Sequence, residues 1–126
     1  LCLHNIEELL IDPYDSFAVY ENEIAAPGLI SPLYGCIPGA AFAKCLIDNL
    51  PDQIPSPEWL PWQVTGNRYM QKMVKSCDVS RLKIFPSHVF TPIHWTGLRY
   101  NGSGKVYSVQ QWGSTNSSIY KWTDEI

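Results

Sequence analysis

The chain is 126 residues long, 45% of them hydrophobic, with a formal net charge of −3 at pH 7. That length suits one domain, 1–126, with a core of its own, and the acidic balance argues against nucleic acid as a partner, because phosphate recognition needs a basic patch. No apolar run is long enough to span a bilayer and no charged-then-apolar leader opens the chain; the first residue is Leu1, so the chain reads as a fragment or a processed product.

Leu1, Cys2 and Leu3 read as the end of a strand. Asn5 is a suitable N-cap for a helical turn over 6–10, with Glu7 and Glu8 at its positive end. A turn is expected over 12–16 and a strand over 17–20, apolar on both faces as an interior strand should be. Glu21, Asn22 and Glu23 follow at that strand's end, a place where α/β proteins put chemistry; the plain alternative is a solvated loop. Pro27 and Gly28 signal a turn, and 29–31 and 33–37 read as two short extended stretches interrupted by Pro32. The helical spacing of Phe42, Ala43, Leu46, Ile47 and Leu50 predicts a helix that Pro51 stops.

Residues 51–61 form a proline-rich irregular loop. Trp59 and Trp62 would anchor it to the core, the alternative being a stacking surface for a sugar ring. Thr65 is the expected N-cap of a second helix, with Tyr69, Met70, Met73, Val74 and Cys77 as its buried stripe and Arg68, Gln71, Lys72 and Lys75 off it. Its start, at Gly66, presents free N–H groups that suit a phosphate or a sugar hydroxyl, or that are simply capped. A short strand is expected over 82–85, a turn at Pro86, Ser87 and His88, extended structure at Val89 and Phe90, and a hairpin-like loop through 101–104. His94, beside Trp95, reads as a hydrogen-bonded packing residue, the alternative being that it lines a site.

The stretch 105–116, Lys-Val-Tyr-Ser-Val-Gln-Gln-Trp-Gly-Ser-Thr-Asn, is the most unusual. It begins as a strand whose alternation sends Val106, Ser108, Gln110 and Trp112 to one face and Tyr107, Val109 and Gln111 to the other. Adjacent amides, an indole and the Ser114 hydroxyl suit a polar ligand such as a sugar or a phosphate ester; the alternative is a strand running into an ordinary turn. Residues 119–122 would add a last helical turn or an arm.

Cys2, Cys36, Cys45 and Cys77 permit two disulfides, but none lies in a CxxC, and buried free thiols in a reducing compartment are the favoured reading. Neither these cysteines nor His4, His88 and His94 show metal-ligand spacing. Asn101-Gly102-Ser103 and Asn116-Ser117-Ser118 match the glycosylation acceptor pattern, which matters only in a secretory compartment.

Taken in order, 17–23, 33–39 with its following helix, 64–66, 82–94 and 110–115 resemble the C-terminal half of glycosyltransferases that carry a sugar-binding Asp-X-Asp motif, in the capsular-polysaccharide and Och1-like mannosyltransferase group. The resemblance spans roughly 1–116. It implies an α/β chain that is an incomplete GT-A-like fold, with a mixed sheet and two main helices. It also implies transfer of a sugar from a nucleotide-sugar donor to a glycan or polysaccharide acceptor, with retention of configuration. A divalent metal, commonly Mn²⁺, would neutralise charge on the leaving diphosphate. By that resemblance Glu21 and Asn22 would face the reacting sugar or the acceptor, and Gly66 would allow close approach of substrate. Gln110, Gln111, Trp112, Gly113 and Ser114 would close over the donor diphosphate.

The chain departs from the family in three ways. The Asp-X-Asp ligands would lie upstream of Leu1, together with the nucleotide-binding strands, so this chain alone would not catalyse transfer. Gln111 stands where many relatives have a His, and an amide is a weaker metal ligand. Pro32 stands where relatives often have Asn. The location implied is cytoplasmic, at the inner face of a membrane, or alternatively the Golgi lumen. A non-catalytic carbohydrate-binding module, or a degenerate transferase remnant, is the competing reading.

Overall fold

The computed structural model describes residues 1–53, 57–110 and 112. Gln111, Gly113, Ser114 and the arm expected at 119–122 lie outside the described residues. The fold is mixed α/β: a three-stranded sheet of order β2-β1-β3 with helices packed against it. The strands are β1 (Ser16–Asn22), β2 (Ala26–Cys36) and β3 (Leu82–Phe85). β1 pairs antiparallel with β2 and parallel with β3, so the chain must cross over between β2 and β3. It does so through α1 (Ala41–Asn49), the short α2 (Pro61–Val64) and α3 (Asn67–Ser76).

β1 is central because both of its faces are apolar. Ala18 points into a cluster with Ile30, Phe42, Tyr69, Met70, Met73 and Leu82, while Phe17 and Val19 point into a second cluster with Leu9, Val89, Phe90 and Tyr107. Phe17 stacks on Phe90 with centroids 5.8 Å apart. Each large side chain buried this way contributes roughly 1.5–3 kcal/mol of transfer free energy. At the start of β1, buried Asp15 accepts from Arg81 Nε at 2.9 Å, fixing the approach to β3.

Several elements differ from the expectations. Pro27 and Gly28 lie inside β2, not in a turn; the chain reverses at 23–25, where Asn22 Oδ1 accepts the Ile24 and Ala25 amides. The Pro27–Gly28 and Pro32 regions become irregularities in the β1–β2 register, which is how a strand accommodates proline. Pro51 does stop α1, as expected, from within a 3-10 turn, Leu50–Asp52. α3 begins at Asn67 with Gly66 as its N-cap; Thr65 instead bonds back to Pro61 and closes α2. Val89 belongs to a 3-10 turn, Ser87–Val89, and the tight reversal is at 94–98, closed by the Ile93–Arg99 bridge, rather than at 101–104.

The favoured reading of four free thiols is also corrected. Cys45 and Cys77 form a disulfide between α1 and the end of α3, and Cys2 and Cys36 are free and exposed. Both bonded residues lie on the partly buried flank of the first core cluster, which brings them together across 32 positions. The buried stripe of α1 also differs from the expected one: Phe42, Cys45 and Leu46 face inward, whereas Ile47 is 69% exposed. No helix among the described residues is long and apolar enough to cross a membrane.

Candidate functional site

A cleft of about 690 Å³ opens at the end of β1. Glu21 enters it because the last pairs of β1 continue past the apolar core, and its side chain is only 13% exposed. Glu21 Oε2 accepts from Asn67 Nδ2 at 2.6 Å, a charge-assisted bond from the first residue of α3. Glu21 Oε1 faces His94 Nε2 at 3.5 Å, the outer limit for a hydrogen bond. His94 is buried, and its Nδ1 lies 2.8 Å from Thr96 Oγ1 and accepts the Thr96 amide at 3.4 Å. With Nδ1 taken as an acceptor, the ring N–H that remains is on Nε2, toward Glu21.

Three indoles surround this carboxylate–amide–imidazole group. Trp62 and Trp95 are half exposed, and Trp95 lies 5.4 Å from the His94 ring. Trp112 packs edge-on to His94 at 5.6 Å and donates its Nε1 proton to the Ile93 carbonyl at 2.8 Å. The expectation that Trp59 and Trp62 anchor the proline-rich loop to the core is therefore not met: Trp59 is 57% exposed, and Trp62 lines the cleft with Arg68 over its ring. A mostly apolar, aromatic-walled cleft with a few convergent polar groups is the usual form of a small-ligand site.

The expected alternation at 106–112 holds where it matters. Tyr107 and Val109 are buried, while Ser108, Gln110 and Trp112 line the cleft. The segment is not a full strand, and at its end Trp112 has φ 51. It pairs with 1–3 through the Cys2–Ser108 bridge, and Tyr107 N donates to Val89 O. Gln110 stands exposed on the rim, and Pro32 and Leu33 line the same cleft.

Of the other expected site residues, two serve the fold instead. Asn22 is spent on the turn after β1 and borders a separate, smaller depression beside Ser87 and His88. Gly66 allows close approach, but of backbone: a Cβ there would lie 2.7 Å from the Trp62 Cα, so glycine lets α2 and α3 meet and present Trp62 and Asn67 to the cleft. Asn67, a polar side chain at a helix start, carries no local signal of a site. His94, beside Trp95, reads from sequence first as a packing residue and only second as one lining a site. Both lie against Glu21. Glu23, two residues past Glu21, turns the other way and binds the Ser87 hydroxyl at 2.5 Å and its amide at 2.8 Å. Partial burial raises its pKa, but these Ser87 bonds outweigh that and hold the carboxyl below the usual range.

The described residues do not by themselves fit a Mn²⁺ site. No three His, Cys, Asp or Glu side chains among them gather where they could hold one ion. Glu21 offers a single carboxylate, already bonded to Asn67, where a hard cation takes several oxygen ligands. No protein-family model, no curated protein and no solved structure matches this chain.

Proposed function

We propose that the cleft around Glu21 holds a sugar, and that the chain is the C-terminal portion of a nucleotide-sugar-dependent glycosyltransferase. The observation that supports this most is the oriented carboxylate set among three indoles. A carboxylate fixed by Asn67 accepts hydrogen bonds from sugar hydroxyls, and indole faces cover the apolar faces of a pyranose ring. Gln110 adds a group that both donates and accepts. In this reading Glu21 orients the reacting sugar or the acceptor hydroxyl, and Trp112 closes one wall. The donor, the glycan or polysaccharide acceptor and a divalent metal come from the family resemblance.

The test is ligand-observed NMR with a panel of nucleotide-sugars and free oligosaccharides, with and without Mn²⁺, on the native protein and on Trp112→Ala. Nucleotide-sugar binding that depends on Mn²⁺ and weakens about tenfold in a folded Trp112→Ala variant is expected, in line with the loss of one aromatic wall. Binding of free glycans unaffected by nucleotide or metal would replace this reading with a carbohydrate-binding module. Binding of neither class would leave a remnant.

A further inference from the structure

α3 carries Arg68, Lys72 and Lys75 on the side away from its buried stripe. Positions i, i+4 and i+7 share one face, and at 1.5 Å per residue the three cations step along the axis by about 6 and about 4.5 Å. This face does not end in open solvent. The irregular half of β2 comes up against it: Gly28, at φ 75, lies so close that an added Cβ would sit 3.3 Å from Gln71 Nε2. Residues of β2 and α3 thus form the two sides of a trough of about 620 Å³. Leu29 and Trp62 line both this trough and the Glu21 cleft, so the two lie side by side there.

The electrostatics of the trough differ from those of the chain. Its lining contains no carboxylate among the described residues, although the net charge of the chain is −3. Among the described residues, Arg68, Lys72 and Lys75 form no ion pair with an acid. Arg68 lies over the Trp62 ring at 5.2 Å, and Lys72 donates to Gln53 at 3.3 Å. Asp52 borders a separate depression beyond Arg68 and Lys72.

We propose that this trough is a subsite for an acidic saccharide, a chain of sugar residues bearing carboxylate, sulfate or phosphate groups, running from the cleft along α3. This rests on the sugar reading of the cleft. The row of cations, spaced at about one pyranose length, takes successive anionic groups. Each exposed pair is weak and salt-screened, so recognition depends on several charges acting in register. Three cations in one short trough fall far short of the basic patch that a nucleic acid needs.

The test is calorimetric titration at low and high salt with a galacturonate oligomer, a neutral glucose oligomer of equal length, inorganic pyrophosphate and oligothymidylate. It uses the native protein and the double variant Lys72→Gln/Lys75→Gln, both exposed helix positions that tolerate the change. The acidic oligomer is expected to bind about tenfold more tightly than the neutral one at low salt, and to lose that margin at high salt and in the double variant. Equal binding of the two oligomers, or an unaffected variant, would overturn the proposal. Pyrophosphate or oligothymidylate binding as well as the galacturonate oligomer would also overturn it, in favour of a free-anion or a nucleic-acid site. Nucleotide-sugar binding is measured separately in both proteins. If it is absent while the acidic oligomer still depends on Lys72 and Lys75, the transferase reading falls and the subsite stands; nucleotide-sugar binding without an acidic preference gives the reverse.

Discussion

Asn67 Nδ2 donates a 2.6 Å hydrogen bond to Glu21 Oε2 across 46 positions, so the first residue of α3 and the end of β1 share one carboxylate. Removing the donor leaves a mostly buried charge with only the distant His94 ring beside it. Asn67→Ala is expected to lower stability by about 2 kcal/mol, the usual scale for a hydrogen bond to a charged group. Ligand binding in the cleft should weaken in parallel, while Asn67→Gln keeps an amide and loses less. Urea unfolding and NMR titration of the two variants check this; an Asn67→Ala protein with native stability and native binding would show that the bond positions nothing.

Gly35 faces Phe17 directly across the β1–β2 pairing. A Cβ on Gly35 would lie 2.3 Å from Phe17 Cε1 and 2.6 Å from its Cζ, and the ring cannot yield because it is stacked on Phe90. Gly35→Ala is therefore expected to cost about 1–3 kcal/mol by overpacking. Pairing it with Phe17→Leu should recover part of the loss by making room. Denaturant midpoints of the single and double variants test this, and additive losses would contradict it.

The Cys45–Cys77 disulfide closes a loop across 32 positions. On the chain-entropy estimate, such a closure stabilises by about 3–4 kcal/mol. Reduction should move the urea midpoint down accordingly, and so should Cys45→Ala/Cys77→Ala. Alkylation of the native, unreduced protein should label Cys2 and Cys36 alone. Labelling of all four cysteines without reductant would place the protein in the thiol form expected from sequence.

Glu23 has a lowered folded-state pKa, because its Ser87 hydrogen bonds outweigh partial burial. A depressed carboxylate pKa adds stability that is complete above the unfolded value of about 4.3 and is lost as pH falls through the folded value. The stability gap between the native protein and Glu23→Gln should be widest near neutral pH and close below about pH 4. Thermal melts across pH 3–7 (a span set by the carboxylate range) check the sign; a gap that widened on acidification would contradict it.

Local pattern was sufficient where an element's own residues decide its state. The 3.6-residue stripe of α3, the limits of β3 and the two-faced apolarity of β1 are all legible because burial there follows from composition alone. The alternation that sends Ser108, Gln110 and Trp112 to one side was legible for the same reason. What could not be read depends on partners distant in the chain. β2 runs through Pro27 and Pro32 because β1 and α3 hold it, overriding the local preference for a turn. The buried face of α1 includes Cys45, whose partner lies in another element. Glu21 stood out by its place at a strand end, but Asn67 and His94 become site residues only when the crossover brings α3 and 92–96 to that end.

The pairing of 1–3 with 107–109 joins residues separated by 108 positions through a handful of backbone bonds. Closing so long a loop carries a chain-entropy cost that grows with the logarithm of its length. The rim bearing Ser108, Gln110 and Trp112 is therefore tied to the first residues of the chain and, through Tyr107, to the second core cluster. One wall of the cleft is thus held by residues 1–3, whereas Glu21 and Asn67 are held by β1 and α3.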